Sequence, residues 1–323
     1  MSKIKLSICL ITCGQPDSVA RFLEASGKQG VDGVEVLVCD DSPNNETRDI
    51  VNSCASNFPV PLRYFKGNRS PSGGYDKALI YLSERAEGEY IWWYGDDVLA
   101  DDAISRVLAA VASPEKFALI WLNARNIDDP SDKGLDLGGD RTFESPGEIF
   151  ATNVGLLGFP SATIIRRELV AASIDEARKY IGTTLTGFYL VLSAITAPRA
   201  KAVYIQQAIL LSFAKPAGEV RWYDSFEVHC INYALISLDF RDRIDRVSYR
   251  SGIADHYGRI WRAVVYERAI GLETGFASRG PKLARMASLY WSYPEFYIAV
   301  TLMSLPRSVL GMAHQIYRRL RCR

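Results

Sequence analysis

Five short apolar runs recur at a nearly constant spacing along the first 125 residues of the chain. β-Branched and aromatic residues dominate them, as they do in buried strands. Helix-like stretches separate the runs, at 17–29, 45–57, 73–87 and 100–112. The runs begin 27 to 29 residues apart, at Leu6, Glu35, Leu62, Tyr90 and Phe117. Strands that alternate with helices on this period predict βαβ units and a mostly parallel sheet.

Polar side chains stand where three of these runs end: Thr12, the pair Asp40 and Asp41, and the pair Asp96 and Asp97. An open α/β sheet binds ligands beyond the carboxyl ends of its strands, so this clustering predicts a binding rim. Adjacent carboxylates repel each other, and hard divalent metals prefer carboxylate oxygen, so Asp96 and Asp97 suggest a metal that carries phosphates. Taken alone the pair fits equally an acidic turn before a helix, since Asp is a common N-cap. The other polar strand ends favour the metal.

Composition and charge narrow the class of protein. A chain of 323 residues, 48% of them apolar, can bury a large core in one big domain or two. The net charge of +1 provides no overall attraction to nucleic acid, so we expect no nucleic-acid partner. The six cysteines form no CxxC pair, and those near predicted strands indicate reduced core residues of a cytosolic protein. The three histidines lack zinc-ligand spacing: His229, His256 and His314.

Two common nucleotide-binding motifs are missing from the sequence. A dinucleotide-binding fold needs Gly-x-Gly-x-x-Gly after its first strand, where this chain has Thr12–Asp17 (TCGQPD). The Walker A motif, Gly-x-x-x-x-Gly-Lys-Ser/Thr, does not occur either. An aspartate-dependent phosphatase stays open as an alternative, because acids follow two of the strands. Such enzymes usually place Asp-x-Asp on the leading strand, whereas these acids are adjacent and come later.

Four motifs, in order, resemble those of the family 2 glycosyltransferases of GT-A fold. They are Leu6–Thr12 (LSICLIT), Val36–Ser42 (VLVCDDS), the segment Asn68–Gly74 and the triplet Gly95–Asp97. Within that family the chain is most similar to O-antigen sugar transferases, including abequosyltransferase-like proteins, in which Trp-x-x-Gly-Asp-Asp is typical. The resemblance covers roughly residues 4–215 and is strongest before residue 125.

The resemblance implies an enzyme that passes a hexosyl or deoxyhexosyl group from a nucleotide-sugar donor to an acceptor hydroxyl. A lipid-linked glycan or a polysaccharide would be the acceptor, in the synthesis of a bacterial surface polysaccharide such as the O-antigen of lipopolysaccharide. The leaving group is a nucleoside diphosphate, whose developing charge a bound Mn²⁺ or Mg²⁺ stabilises.

The resemblance also implies roles for individual residues. Asp97 would coordinate the metal, with Asp96 beside it at the metal or the ribose. Asp41 is better suited to capping the next turn than to binding the base. The segment Ser70–Asp76 would cover the nucleotide, and a plain loop with an N-cap is the alternative there. The donor-binding residues implied in this way are Thr12, Asp40, Asp41, Asp76 and Asp96.

The chain departs from the family pattern in two places. The usual Thr-Tyr-Asn-Arg after the first strand is Thr12–Gln15 (TCGQ), which removes a tyrosine often placed against the base. In the segment Thr184–Leu192, Gly187 and Phe188 replace two acids, one of which is the general base of ordinary inverting members. This loss leaves open a carbohydrate- or nucleotide-binding module without catalysis. If there is a base, its candidates by residue type are Asp175, Glu176, Asp224 and Glu227.

The pattern predicts a GT-A catalytic domain at 1–215 and a helical C-terminal region at 216–323. The catalytic domain would comprise a nucleotide-sugar-binding half, 1–125, and an acceptor half, 126–215. The acceptor half opens on a polar stretch that predicts a loop over the sugar site, and two strand-like runs follow it, at 158–165 and 202–213. Beyond residue 215, periodicity predicts helices at 226–240, 253–272 and 282–290.

The C-terminal tail combines apolar and basic residues. From Phe296 onward the sequence has five arginines and no acidic residue. Pro306 and Arg307 interrupt its apolar run, so the run is too short and too charged to span a bilayer. A basic amphipathic segment in the membrane interface fits better, and a helix docked on the protein is the alternative. We therefore expect a cytoplasmic protein held peripherally at the inner face of the plasma membrane.

Overall fold

The computed structural model describes residues 3–30, 32–67, 74–129, 131–212, 227–270 and 283–321. Contacts within the chain divide it into two compact units. The first consists of Met1–Ile149 and Leu156–Ala214, and the second of Phe150–Gly155 and Lys215–Arg323. The assignment of catalysis to 1–215 and of a separate role to 216–323 stays a prediction.

Four parallel strands form one side of the sheet in the first unit. They are β1 (Leu6–Thr12), β2 (Val34–Asp40), β3 (Leu62–Lys66) and β4 (Tyr90–Tyr94). They lie in the order β3-β2-β1-β4, with β1 parallel to both of its neighbours. Every residue of β2 and β4 is buried, which explains why β4 is a continuous apolar run and β2 is apolar apart from the buried acids Glu35 and Asp40.

Helices follow the parallel strands as the spacing predicts. They are α1 (Pro16–Gln29), α2 (Glu46–Ala55), α3 (Gly74–Ser83) and α4 (Ala103–Val111). α1 begins with Pro16, at a position where a helix needs no N–H donor, and ends at Gly30 in the left-handed conformation. Its apolar side is buried, and the ring of Phe22 packs on Tyr94 of β4 with 4.7 Å between the ring centres.

The remaining strands make the sheet mixed. They are β5 (Val98–Leu99), β6 (Leu119–Asn126), β7 (Arg141–Phe143), β8 (Thr163–Arg166) and β9 (Ala202–Ser212). β8 lies antiparallel between β4 and β6, β9 is parallel to β6, and β5 and β7 are antiparallel to β9. Nine strands thus form one sheet in the described ranges. The predicted α/β class with a helical C-terminal region is confirmed.

The stretch 126–147, predicted as a loop, carries β7 and is tied to the sheet. Asn123 on β6 is buried; its amide donates to Lys133 O at 2.8 Å and its Oδ1 accepts the N–H of Leu135 at 2.9 Å. The hydroxyl of Tyr204 on β9 donates to Leu135 O. The loop prediction is wrong at β7, because a three-residue strand leaves too short a pattern to be recognised.

Three further helices occur before residue 200: α5 (Pro146–Leu157), α6 (Arg167–Ala177) and α7 (Thr186–Ile195). A short 3₁₀ turn, Pro160–Ala162, precedes β8. Every residue of α7 is buried, and the chain passes from α7 into β9. Since β9 starts at the edge where β6 starts, α7 begins at the opposite edge, beside the carboxyl ends of the parallel strands.

The second unit is helical. A π-helix, Glu227–Asn232, leads into α8 (Tyr233–Leu238), and α9 (Arg246–Ile270), α10 (Leu283–Tyr290), α11 (Pro294–Ser304) and α12 (Arg307–Arg321) follow. The rings of Tyr257 and Tyr290 stack at 4.2 Å between centres in its core, and the hydroxyl of Tyr290 donates to Cys230 O.

No single helix in the described part of the chain has the length and apolar composition needed to cross a bilayer. The segments Pro294–Ser304 and Arg307–Ile316 meet that criterion only when they are taken together, and they are bent by 107° at the break between them.

Candidate functional site

The ends of β1, β2 and β4 bring predicted site residues to one edge of the sheet. Thr12 pairs with Asp40 in the parallel register, and the N–H of Asp41 donates to Thr12 O at 2.9 Å. The hydroxyl oxygen of Thr12 is buried and has no hydrogen-bond partner among the described residues. A buried polar atom without a partner inside a protein is rare, and a bound ligand is one way to supply it.

Asp40 is fully buried, and both of its carboxylate oxygens have partners. Oδ1 accepts the N–H of Ser42 at 2.8 Å, and Oδ2 accepts the hydroxyl of Tyr64 at 3.0 Å, with Lys66 Nζ at 3.7 Å. Burial and this hydrogen bond raise the pKa of the Tyr64 hydroxyl well above its usual value. Asp40 therefore stabilises the turn after β2. Because Asp40 is fully buried, a direct contact to a nucleotide requires the groups around its carboxylate to move.

Asp41 is half-buried and lies between two glycines. A Cβ atom at Gly67 would come within 1.9 Å of Asp41 Oδ1, and one at Gly74 within 2.9 Å of Oδ2. Glycine at both positions thus lets the backbone approach this carboxylate closely. The segment 68–73 between them, predicted to cover the nucleotide, lies outside the described residues.

The residues that differ from the family motif after β1 make contacts that the sequence did not predict. The N–H of Gly14 donates to Ser42 Oγ at 2.7 Å, which joins the ends of β1 and β2. Gln15 Nε2 donates to Asp96 Oδ2 at 3.3 Å and so reaches the acid pair from the other side. Gln15 and Ser42 are therefore site residues that sequence reasoning missed. The unusual TCGQ run was the signal available for Gln15.

The acid pair occupies a turn held by Tyr94 of β4 and by Ser161 of the 3₁₀ turn. The N–H of Gly95 donates to Ser161 Oγ at 3.1 Å, and the hydroxyl of Tyr94 donates to Asp97 O at 2.7 Å. Burial, and then the negative charges of Asp97 and Asp96, raise the pKa of Tyr94 well above its usual value. The pair leads into β5 rather than into a helix, which removes the N-cap interpretation.

The donor set of the acid pair fits a divalent cation that shares its ligands with a substrate. Asp96 and Asp97 are both half-buried, at the edge where Thr12 and Asp41 lie. The described residues form no group of three or more His, Cys, Asp or Glu suited to a metal. Mg²⁺-type sites that handle phosphates use one or two carboxylates, with substrate oxygens and water as the remaining ligands. Two adjacent carboxylates satisfy that requirement.

The carboxylate of Asp76 is bound by the backbone of residues 182–186. Asp76 is fully buried in the first turn of α3, and its carboxylate accepts backbone N–H groups of Gly182, Thr184 and Thr186 at 2.8, 2.9 and 3.2 Å. Burial raises its pKa, and the three N–H donors partly offset that shift. The described contacts connect Asp76 to the start of α7 instead of to the predicted nucleotide pocket.

The positions of the missing acids lie in the buried first turn of α7. A Cβ atom at Gly187 would approach Leu79 Cδ1 to 3.0 Å, and the Phe188 side chain is 1% exposed. The candidate bases have other surroundings. Asp175 and Glu176 form exposed ion pairs with Arg178 and Lys179, Glu227 pairs with Arg285 in the second unit, and Asp224 lies outside the described residues.

The sequence is similar to those of known glycosyltransferases. The model of the family described as Glycosyl transferase family 2 matches residues 7–172, just over half of the chain. Abequosyltransferase RfbV of Salmonella typhimurium is 21% identical in an alignment 229 positions long that covers 64% of this chain and 66% of that protein. The match thus spans slightly less than two thirds of the relative's length.

Two solved structures have a similar fold. The crystal structure of S. aureus TarS 1-349 in complex with UDP-GlcNAc superposes with a TM-score of 0.68 at 15% identity, covering 98% of this chain and 92% of that one. The mannosyltransferase PcManGT from Pyrobaculum calidifontis, in complex with GDP-Man and Mn²⁺, gives 0.53 at 12% identity, over 98% and 88%. At such identities the likeness concerns the fold alone, and it confirms the predicted GT-A fold.

Proposed function

The chain belongs to glycosyl transferase family 2, and from this premise we propose that it moves a sugar from a nucleotide-sugar donor to a lipid-linked or polysaccharide acceptor. Similarity to RfbV supports a role in a bacterial surface polysaccharide of the O-antigen kind. The observation that carries the proposal is the convergence of Thr12, Asp41 and the acid pair at the carboxyl edge of three parallel strands.

The donor subsite is proposed at this rim. The unpartnered hydroxyl of Thr12 and the half-buried carboxylate of Asp41 supply hydrogen-bonding atoms for a nucleoside. Asp40, which the resemblance also assigns to the nucleotide, supports this subsite from below by fixing the N–H of Ser42. Ser42 in turn accepts the N–H of Gly14, so the turns after β1 and β2 hold each other in place.

Asp97 is proposed as a ligand of Mn²⁺ or Mg²⁺, with Asp96 beside it. When bound, such an ion neutralises charge that develops on the departing nucleoside diphosphate. Gln15 donates to Asp96 Oδ2, which orients that carboxylate and leaves its Oδ1 available to a ligand on this side. Tyr94 and Ser161 fix the backbone around the pair, so the carboxylates need little reorganisation when a donor binds.

The acceptor side is proposed to lack a base from α7. Gly187 carries no acid and Phe188 is enclosed in the core, so deprotonation of the acceptor hydroxyl, if a side chain performs it, uses a group outside Thr184–Leu192. A module that binds donor without turnover is the competing function, and the same replacement favours it. Turnover of a nucleotide sugar distinguishes the transferase from the binding module.

A surface of the second unit is proposed to lie on an anionic membrane. Val309, Met312 and Ile316 project from one side of α12 and are 44%, 63% and 53% exposed, while Leu310 is buried on the other side. Tyr297 and Ile298 of α11 are exposed as well. Four of the five arginines follow Ile316 in the sequence, and acids are absent there. Apolar side chains beside basic residues suit the interface of an anionic leaflet.

The experiment measures release of nucleoside diphosphate from a panel of nucleotide sugars, with Mn²⁺ and a bacterial extract of polyprenyl-linked glycans. We expect turnover of at least one donor by the wild type and a loss of at least about 100-fold in Asp97→Asn, equivalent to about 3 kcal/mol of transition-state stabilisation. Asp242→Asn, at an exposed acid of the second unit that has no role in the proposed site, is the matched control and keeps full activity. Donor binding without turnover across the panel would support the module, and equal turnover by Asp97→Asn would remove the proposed metal ligand.

A further inference from the structure

A single buried carboxylate connects two distant parts of the first unit. Asp76 belongs to the first turn of α3, and the three backbone N–H groups that it accepts belong to residues 182–186, more than 100 positions later. No arginine, lysine or histidine is among these donors. A buried charge costs free energy unless hydrogen bonds compensate it, so the three bonds are the reason that Asp76 is tolerated there.

The turn that Asp76 holds has an unusual backbone. Gly182 has φ +96° and Thr184 has φ +67°, both in the left-handed region. Thr184 is β-branched, and such residues avoid that region because their Cβ crowds the backbone. The turn also lies at the start of α7, where the first N–H groups of a helix have no partner within the helix. Asp76 supplies acceptors to both the strained turn and the helix start.

The first turn of α3, which contains Asp76, lies against the donor-side rim. Gly74, two residues before Asp76, leaves the space that the Asp41 carboxylate occupies, since a Cβ atom there would come within 2.9 Å of Asp41 Oδ2. The first turn of α3 therefore contacts the proposed nucleotide subsite on one side and residues 182–186 on the other. By the family resemblance, residues 184–192 are the segment that faces the acceptor.

We infer that Asp76 is a positioning residue, which fixes the turn 182–186 and the first turn of α7 relative to the donor-binding rim. This inference rests on the proposed glycosyl transfer. Without the carboxylate, the donor subsite keeps its own residues while the acceptor side shifts. A misplacement of about 1 Å can cost about 100-fold in rate, so acceptor-dependent transfer is the step that suffers.

Asp76→Asn tests the inference, because an amide has one acceptor oxygen and adds an N–H₂ that opposes the backbone donors. Hydrogen exchange should become faster in peptides that cover 182–190 and stay unchanged in peptides from β1 and β2. Thermal shifts with Mn²⁺ and a donor panel including UDP-GlcNAc and GDP-mannose should persist. The acceptor-stimulated release of nucleoside diphosphate should fall at least about tenfold, with donor hydrolysis in water nearly unchanged.

Gly182→Ala perturbs the same turn while it keeps the carboxylate, and it serves if Asp76→Asn does not fold. It should lower acceptor-stimulated release in the same way. Gly30→Ala is the matched control, a left-handed glycine at the end of α1 on the opposite edge of the sheet, and should change neither readout.

Three results distinguish failure of the inference from failure of the proposed function. If Asp76→Asn abolishes the donor-induced thermal shift while exchange in 182–190 stays slow, Asp76 is a donor ligand and the inference is overturned. If no nucleotide sugar shifts or reacts with the wild type, the proposed function fails, and an inference that depends on it fails with it. Exchange that speeds up in 182–190 without loss of acceptor-stimulated release would reduce Asp76 to a structural residue.

Discussion

Asp40 and Asp41 are adjacent in the chain and have opposite surroundings. Asp40 is enclosed, with Ser42, Tyr64 and Lys66 around its carboxylate, whereas Asp41 is half-buried against two glycines. Asp40 therefore contributes to folding, and we propose Asp41 as the donor contact. The resemblance alone suggested the reverse emphasis, with Asp41 capping a turn. In the structure, Asp40 accepts the N–H of Ser42 in this turn.

Asp40→Asn and Asp41→Asn should separate these roles. Asp40→Asn should lower the free energy of unfolding by about 1–3 kcal/mol, because a buried amide cannot accept from both Ser42 and Tyr64 without leaving a polar group unpaired. Asp41→Asn should lose less stability and most of the donor-induced thermal shift. Urea unfolding and thermal shift measure both effects. A stable Asp40→Asn variant that no longer responds to donor would return the nucleotide contact to Asp40.

His256 is predicted to make stability depend on pH. It is buried in the second unit, its Nε2 donates to His229 O at 2.8 Å, and its ring centre lies 4.4 Å from that of Tyr233. Its pKa is lowered from 6.5 to about 4, chiefly by burial and to a smaller extent by the charges of His229 and Arg259, while the hydrogen bond to His229 O and the charge of Asp255 partly offset the shift.

The folded state thus binds fewer protons than the unfolded state between the two pKa values. The free energy of unfolding is highest above about pH 6.5, and the contribution of His256 lowers it by about 3 kcal/mol as the pH drops to about 4. Urea unfolding across this range should show a smaller fall in His256→Gln, which cannot acquire the charge. Identical pH profiles for the two proteins would show that His256 does not titrate in this window.

At this scale, residues at strand ends were predictable from the sequence, and long-range partners were not. Thr12, Asp96 and Asp97 stand at the ends of recognisable strands, so their edge of the sheet followed from the βα period. The contact of Gln15 with Asp96 spans 81 residues, and those of Asp76 span 106 to 110. Such contacts depend on tertiary packing, which leaves no local pattern.

α7 provides an element-scale test of the missing base. Gly187→Glu would place a carboxylate in its buried first turn, near Leu79 and the charge of Asp76. We expect a loss of about 2–4 kcal/mol in the free energy of unfolding and no gain in turnover. Ser105→Glu, in the exposed first turn of α4, is the control and should be nearly neutral. A Gly187→Glu protein that is stable and faster than the wild type would mean that α7 supports an acidic base.

The exposed side of α12 gives a second test at this scale. Met312→Glu with Ile316→Glu should weaken binding to phosphatidylglycerol vesicles at low salt by roughly 100-fold, since each buried apolar side chain contributes about 1.5 kcal/mol or more. High salt should weaken the wild type as well. Val247→Glu is the control, because Val247 is apolar and 79% exposed but lies on α9.

Two outcomes would contradict the membrane proposal. The first is a wild type that ignores anionic vesicles at low salt. The second is a concentration-dependent dimer that the double variant dissociates while vesicle binding is unaffected, because the apolar surface would then bind a second copy of the chain.

Among the elements, length decided what the sequence could predict. Strands β1 to β4 are five to seven residues long, and each begins within a residue of its predicted start. β5 and β7 have two and three residues, too few for a periodic signal. The position of β8 between β4 and β6 was also beyond a local pattern, since its antiparallel partners lie between about 40 and 76 residues away in the sequence.

On the scale of the whole molecule, the proposed donor-binding edge and the proposed membrane surface belong to different compact units. With a net charge of +1, the chain as a whole has little electrostatic attraction to a membrane or a nucleotide. The proposed binding of both therefore depends on local groups of charged residues. In the proposed site the acid pair needs a cation before it accepts a diphosphate, because two carboxylates repel the phosphate charge. At the other end of the chain, the four arginines after Ile316 form a basic cluster in the sequence.

The most direct test of the account is donor binding that depends on a divalent ion. Thermal unfolding is measured for the wild type and Asp97→Asn with each nucleotide sugar, with and without Mn²⁺. At a donor concentration 100 times the Kd, the account predicts a rise of about 5 °C in the wild type only with Mn²⁺, and little or none in Asp97→Asn. A donor that stabilises both proteins equally, or that needs no metal, would contradict it.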